Sequence, residues 1–148
     1  MIGVGNDLMG DDGIGPHIAR ILKNGTELPP EVDAFDEGRG GMRLLHHIKG
    51  YDGLVIIDAA DIGKDPGDYI VFRPEEVESE RILSGRSVHE WDLMKVLELS
   101  RMMGECPSDV RILAVQPKVL RMGEGISGEL LEREDEYVER VLELVRGP

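Results

Sequence analysis

Along this chain short unbroken apolar runs alternate with helically spaced apolar residues, and turn residues separate the two. The clearest run is Leu54-Val55-Ile56-Ile57, largely β-branched, which stops abruptly at Asp58. Such a run predicts a central strand buried on both faces. Ile112-Leu113-Ala114-Val115 and Tyr69-Ile70-Val71-Phe72 predict two more strands, and the Lys64-Asp65-Pro66-Gly67 turn before Tyr69 permits an antiparallel approach. Met1 to Gly5 and Val32 to Asp36 read as shorter strands. Helical spacing begins with Ile14, Ile18, Ile21 and Leu22. Pro16 costs little in a first helical turn, which places the start between Asp12 and Gly15, and Gly25 ends the helix.

A second helix is expected from Met42 to Lys49, opened by the Gly38-Arg39-Gly40-Gly41 turn. Ser87-Val88-His89-Glu90 fits a capping box and leads into an amphipathic helix through Leu93, Val96, Leu97 and Leu99. The last helix is expected from about Gly128 to Val145, with Leu130, Leu131, Val138, Val141, Leu142 and Val145 inward. Strands separated by helices require crossover connections. The pattern therefore predicts an α/β three-layer sandwich, a mostly parallel, twisted, five-stranded sheet with helices on both faces. The length, 148 residues with 41% hydrophobic, suits one domain over 1–148.

Composition narrows the chemistry. Thirty acidic against 17 basic residues give a net charge of −13, which would repel a nucleic-acid backbone. No apolar run approaches the length of a membrane span, and the N-terminus lacks the basic stretch and apolar core of a signal peptide, so a soluble, cytoplasmic protein is expected. The single cysteine, Cys106, can build neither an internal disulfide nor a thiolate cluster, so any metal must use carboxylate and imidazole. The acidic stretches at Glu75-Glu76-Val77-Glu78 and from Glu129 to Glu143 read as solvated helix faces.

In sheets of this kind ligands bind beyond the carboxyl ends of the strands, where the strand order reverses. Immediately after the predicted strands stand Asn6 to Asp12, Asp36-Glu37, Asp58 to Asp61, and Gln116, a strongly acidic edge. The first loop has glycines after a strand, yet Leu8 stands where a dinucleotide fingerprint needs glycine, and Asp11 and Asp12 stand where a phosphate loop needs Lys and Ser or Thr. One of Asp11 and Asp12 can cap the first helix. The other can point into the crevice and meet Asp58 if the first and third strands are neighbours, and two close carboxylates call for a cation. His89, in the first turn of its helix, is the third candidate ligand, since the positive helix end disfavours imidazolium. His17, His46 and His47 suit packing or the surface. A metal triad of Asp12, Asp58 and His89 competes here with the plainer reading of unrelated acids and a histidine.

The segment Gly3-Val4-Gly5-Asn6-Asp7-Leu8-Met9-Gly10-Asp11-Asp12-Gly13-Ile14-Gly15 resembles the signature loop of the hydrogenase maturation endopeptidases. Gly40-Gly41-Met42-Arg43-Leu44-Leu45, Val55-Ile56-Ile57-Asp58-Ala59-Ala60-Asp61 with Pro66-Gly67, Ser87-Val88-His89 and Val115-Gln116-Pro117 continue in the family's order over nearly the whole chain. The resemblance implies an endopeptidase that removes the C-terminal tail from the precursor of a nickel-iron hydrogenase large subunit after nickel insertion. It assigns the metal contacts to Asp12, Asp58 and His89, with nickel supplied by the precursor and other divalent metals able to substitute. Asp36 and Asp61 are candidate supporting acids, and no Ser-His-Asp or Cys-His nucleophile is visible.

Two departures accompany the match. The first strand is short, and the family's Asp-Gly-Gly turn is here Asp36-Glu37-Gly38, which bears on how the tail is held. A monomer is expected. The rival readings are a non-catalytic nickel-binding or chaperone-like module that recognises the precursor, and a small nucleotide-binding domain, which the Asp11-Asp12 pair disfavours. The proposed ligands are expected at a solvent-open edge.

Overall fold

A computed structural model describes residues 1–25, 27–38, 41–80 and 90–147. The strands are β1 (Ile2–Gly3), β2 (Phe35–Asp36), β3 (Gly53–Ala59), β4 (Tyr69–Phe72) and β5 (Asp109–Val115). The helices are α1 (Ile14–Asn24), α2 (Arg43–Ile48), α3 (Pro74–Glu80), α4 (Glu90–Met102), α5 (Gly128–Leu131) and α6 (Glu134–Arg146), with a short 3-10 turn at Gly10–Gly13. The sheet order is β2-β1-β3-β5-β4. β2, β1, β3 and β5 run parallel, and β4 adds antiparallel to β5. This is the expected architecture, antiparallel edge included.

The unbroken apolar run of β3 serves two cores at once, because successive strand residues point to opposite faces. Val55 and Ile57 join Ile14, Ile18 and Leu22 of α1, Leu130 of α5 and Tyr137 and Val141 of α6. Leu54 and Ile56 join Leu44 and Ile48 of α2 and Leu93, Val96 and Leu97 of α4. Burial of each such side chain stabilises the fold by roughly 1.5–3 kcal/mol, so β3 is the element whose loss both layers would feel.

Boundaries differ from the sequence reading at β1, β2 and the last helix. β2 is confined to Phe35–Asp36, since only these residues find a register, opposite Ile2 and Gly3 of the equally short β1. The last helix is two, interrupted at Glu132 and Arg133. The break takes Leu131 off the inward face and leaves it 40% exposed, while Leu130 stays buried. The acidic stretch from Glu75 lies in a helix, α3, which begins at Pro74, in line with its reading as a helix face. The capping box from Ser87 falls outside the described residues.

Glycines let α1 approach the sheet. A methyl group at Gly3 would lie 2.1 Å from the Gly15 carbonyl oxygen, and one at Gly15 would lie 2.4 Å from those of Ile57 and Val4. On the far side of the same core, the buried Tyr137 hydroxyl donates to the Gly67 carbonyl at 2.6 Å, joining α6 to the turn before β4. Burial pushes this phenol up to about 12. An unfolded tyrosine ionises near ~10, so the fold's preference for neutral Tyr137 is complete below that pH. It is lost as the pH rises to about 12.

Gly15→Ala should cost about 3 kcal/mol of unfolding free energy in urea titrations, the upper end of overpacking penalties. Alkaline titration should find a phenol ionising near pH 12 that Tyr137→Phe removes, with about 1–2 kcal/mol of stability lost from the buried carbonyl left behind.

Candidate active site at the carboxyl edge

The strand order reverses between β1 and β3, so the crevice of this sheet opens above their carboxyl ends. Beyond β1 the chain stays against β3, the Val4 amide donating to the Ile57 carbonyl at 3.0 Å. Gly5 comes next at φ +147°, where a methyl group would fall 1.8 Å from the Asp12 carbonyl oxygen. Its amide donates to the Gly38 carbonyl at 2.5 Å, which ties in the loop after β2. The 3-10 turn carrying Asp12 is thereby laid on the strand ends. The Asp12 carboxylate accepts the Asn6 amide at 3.0 Å. Asp58, the penultimate residue of β3, accepts the Ala59 amide at 2.8 Å.

β1 and β3 are neighbours, as the meeting of these two acids requires. The expectation of a solvent-open edge is corrected, however. Asp12 is 9% and Asp58 4% exposed, and the whole Gly10–Gly13 turn is buried. Among the described residues no three His, Cys, Asp or Glu side chains stand close enough to hold a metal ion, and His89 lies outside those residues.

Asp11 has a role that the helix-cap reading does not contain. Neither the 3-10 turn nor α1 has a side-chain cap. The fully buried Asp11 carboxylate instead accepts the amides of Lys118 and Val119 at 2.7 and 2.9 Å, and the amide and hydroxyl of Ser127 at 2.6 and 2.9 Å. Main-chain bonds extend the junction: Asp11 N–H to Val119 C=O at 2.7 Å, Gly10 N–H to Glu124 C=O at 3.0 Å and Gly123 N–H to Leu8 C=O at 2.8 Å. The loop after β5 is thus bolted to the loop after β1. Local patterning offers a helix cap for such an acid and carries no sign of partners 107 to 116 residues away.

The two candidate supporting acids have structural partners. Asp36 binds Arg20 at 2.7 Å, and Arg20 also grips both oxygens of Asp7 at 2.8 and 3.0 Å, so α1 links the loops after β1 and β2. Asp61 is exposed and accepts the Gly63 amide at 3.1 Å within its own turn. Gln116 accepts the Ile62 and Lys64 amides at 2.8 and 3.3 Å, fixing the loop after β3. The residue that departs from the Asp-Gly-Gly turn, Glu37, turns inward with a side chain only 3% exposed and pairs with His47, whose ring stacks on Phe35 at 4.5 Å. His17 joins α1 to Glu134 at 2.7 Å and His46 is exposed, in keeping with packing and surface roles. Cys106 is half-buried in the core beneath α4.

A concavity of about 500 Å³ lies elsewhere, at the amino ends of the strands, lined by Met1, Ile2, Phe35, Tyr51, Gly53 and Arg111 among others. It does not include the acid pair. Chemistry, rather than volume, locates the candidate site.

The fold defines a three-layer α/β protein with buried acids at the carboxyl edge beside its switch point. The sequence pattern of the hydrogenase maturation protease family matches residues 16–145. The hydrogenase 2 maturation protease of Escherichia coli is 33% identical over 147 residues, covering 99% of this chain and 89% of that protein. A hydrogenase expression/formation protein of Cupriavidus necator is 29% identical over 98% of this chain and 72% of its own length, and one of Azotobacter vinelandii 31% identical over 89% and 62%.

Among solved structures, the hydrogenase maturating endopeptidase HybD of Escherichia coli superposes with a TM-score of 0.86 at 32% identity, covering 98% of this chain and 90% of that one. A nickel-iron hydrogenase maturation protease of Thermococcus kodakarensis gives 0.78 at 26%, covering 97% and 95%. The chain belongs to the hydrogenase maturation protease family, and so to the hydrolases acting on peptide bonds. The non-catalytic rival gives way to that membership. No helix among the described residues is long and apolar enough to cross a membrane.

Removing the Asp11 carboxylate should release the loop after β5. Asp11→Ala is expected to cost about 3 kcal/mol, as loss of hydrogen bonds to a buried charged group does. Limited proteolysis should then cut first between residues 117 and 127, whereas unchanged protection there would refute the bolt.

Proposed function

We propose that this protein removes the C-terminal extension of a nickel-loaded nickel-iron hydrogenase large-subunit precursor, with Asp12, Asp58 and His89 as the groups that meet the nickel. The observation that carries the reading is the seating of Asp12 against the end of β3. Gly5 accommodates the Asp12 carbonyl where any side chain would stand, and Asp58 comes directly after Ile57 on the strand beneath. Asp12 and Asp58 are both buried acids at the carboxyl edge of neighbouring strands, which supports a cation-binding role over that of chance surface acids.

Nickel enters as part of the substrate. Carboxylate and imidazole suit a divalent first-row ion, and other divalent metals can substitute at such donors. Each carboxylate is fastened to a backbone amide, Asp12 to that of Asn6 and Asp58 to that of Ala59, so their orientation is set before the precursor arrives. The ion supplies a Lewis acid for the scissile carbonyl or for water, or alternatively a mark of correct loading. The glycine-framed turn holds Asp12 at the strand ends. Binding through the cargo metal gates the cut on nickel insertion. We further propose that the protein works as a monomer in the cytoplasm.

The test is a gel-shift assay of nickel-loaded and nickel-free precursor with the native protein and its variants. Nickel-dependent loss of the tail is expected with the native protein, and a loss of processing of at least ~100-fold with Asp12→Asn, Asp58→Asn or His89→Ala. Asparagine keeps the carbonyl that accepts the neighbouring amide, so the two Asn variants should retain the native circular dichroism spectrum. Cleavage of nickel-free precursor, or full activity in all three variants, would overturn the assignment.

A further inference from the structure

Three large apolar side chains stand in the open at the carboxyl edge: Leu8 and Met122, each 64% exposed, and Leu120, 55% exposed. Backbone contacts bring them together. The Gly123 amide donates to the Leu8 carbonyl and the Asp11 amide to the Val119 carbonyl, so Leu120 and Met122 lie on the strip that Leu8 borders. A methyl group at Gly10 would fall 2.5 Å from the Val119 carbonyl oxygen, which shows how closely the two loops touch. They form one ledge, made of residues 8–10 and 119–124.

Exposed apolar residues scattered singly need no explanation. This ledge differs in two respects. It is continuous with the acid pair, since Gly10, Asp11 and Asp12 share one turn. It is also held rigid by the buried Asp11 carboxylate, which fastens both ends of the loop at Lys118, Val119 and Ser127. Besides stabilising the fold, such fixing serves a binding surface, because preorganisation lowers the ordering cost on association. Arg121 is answered within the ledge by Glu124 at 3.3 Å, so the strip offers contact area rather than net charge.

We propose that this ledge binds an apolar stretch of the precursor polypeptide flanking the bond that is cut, an inference that rests on the endopeptidase reading above. An endopeptidase must hold its substrate chain beside the scissile bond. From the crevice floor at Asp58, the Gly10–Gly13 turn leads directly to Leu8 and the strip beyond it. Methionine, unbranched and polarisable, lets one surface accept differing apolar side chains.

The experiment compares the native protein with the triple variant Leu8→Ser, Leu120→Ser, Met122→Ser, using nickel-loaded precursor and measuring Kd, KM and kcat. Kd and KM should each rise about tenfold, a fraction of what full desolvation of three such side chains can supply, with kcat within about twofold. Met122→Leu, which keeps the apolar volume, should behave as native. The thermal midpoint should hold because the three side chains are exposed; if the triple variant does not fold, Leu120→Ser and Met122→Ser singly carry the same comparison. Unchanged Kd and KM, or a loss confined to kcat, would overturn the ledge while native cleavage leaves the endopeptidase reading standing. A native protein that binds precursor without cutting it would defeat that reading, and weaker binding by the triple variant would still uphold the ledge.

Discussion

Carbonyl oxygens resting on glycines hold this molecule's working end together. The Gly15 carbonyl sits over Gly3, the Asp12 carbonyl over Gly5, and the Val4 and Ile57 carbonyls over Gly15, each at a place where a single methyl group would collide. These contacts bring the amino end of α1 nearer to β1 and β3 than any side chain allows. Everything acidic in the crevice is placed by that approach: Asp12 because its own carbonyl makes one of the contacts, and Asp58 because it comes after Ile57, whose carbonyl makes another. Glycine's conformational freedom costs stability in most settings. Here it is accepted because the alternative is a helix standing off the sheet.

Around this contact the connecting loops are tied to one another as well as to the sheet. Arg20 spans Asp7 and Asp36, Asp11 spans the loops after β1 and β5, and Gln116 fixes the turn after β3. Each tie is a charged or amide side chain bonded mainly to backbone or to a partner from a distant loop. The crevice is therefore a frame with little freedom of its own. Such a frame suits the proposed recognition of a metal seated in a precursor, because a preorganised site needs little ordering on association.

The layered fold was legible because β3 and β5 are dense apolar runs and α1 carries a clear helical stripe, so periodicity alone separated strand from helix. The antiparallel β4 was legible from the short turn that precedes it. The split between α5 and α6 was not, since Glu132 and Arg133 are ordinary helix residues that leave no stop signal in the sequence. The location of Asp12 and Asp58 at one edge of the sheet was legible from the strands they follow, whose adjacency the architecture implies. Asp11 was not, because a doublet of acids before a helix reads as capping, and its partners come from the opposite end of the chain. Glu37 and His47 were hidden for the same reason: a pair formed across two elements leaves no mark in either alone.

The order of β1 between β2 and β3, with Asp11 answering to residues 118–127, has a consequence for a nascent chain. The strand made first finds its partner β3 only when Ile56 and Ile57 have been made, and Asp11 waits for donors 107 to 116 residues further on. Contacts so distant in sequence give a high contact order and slow closure. A half-synthesised chain thus has the acids but not the bonds that join the loops around them, and these form only once residues 118–127 have emerged.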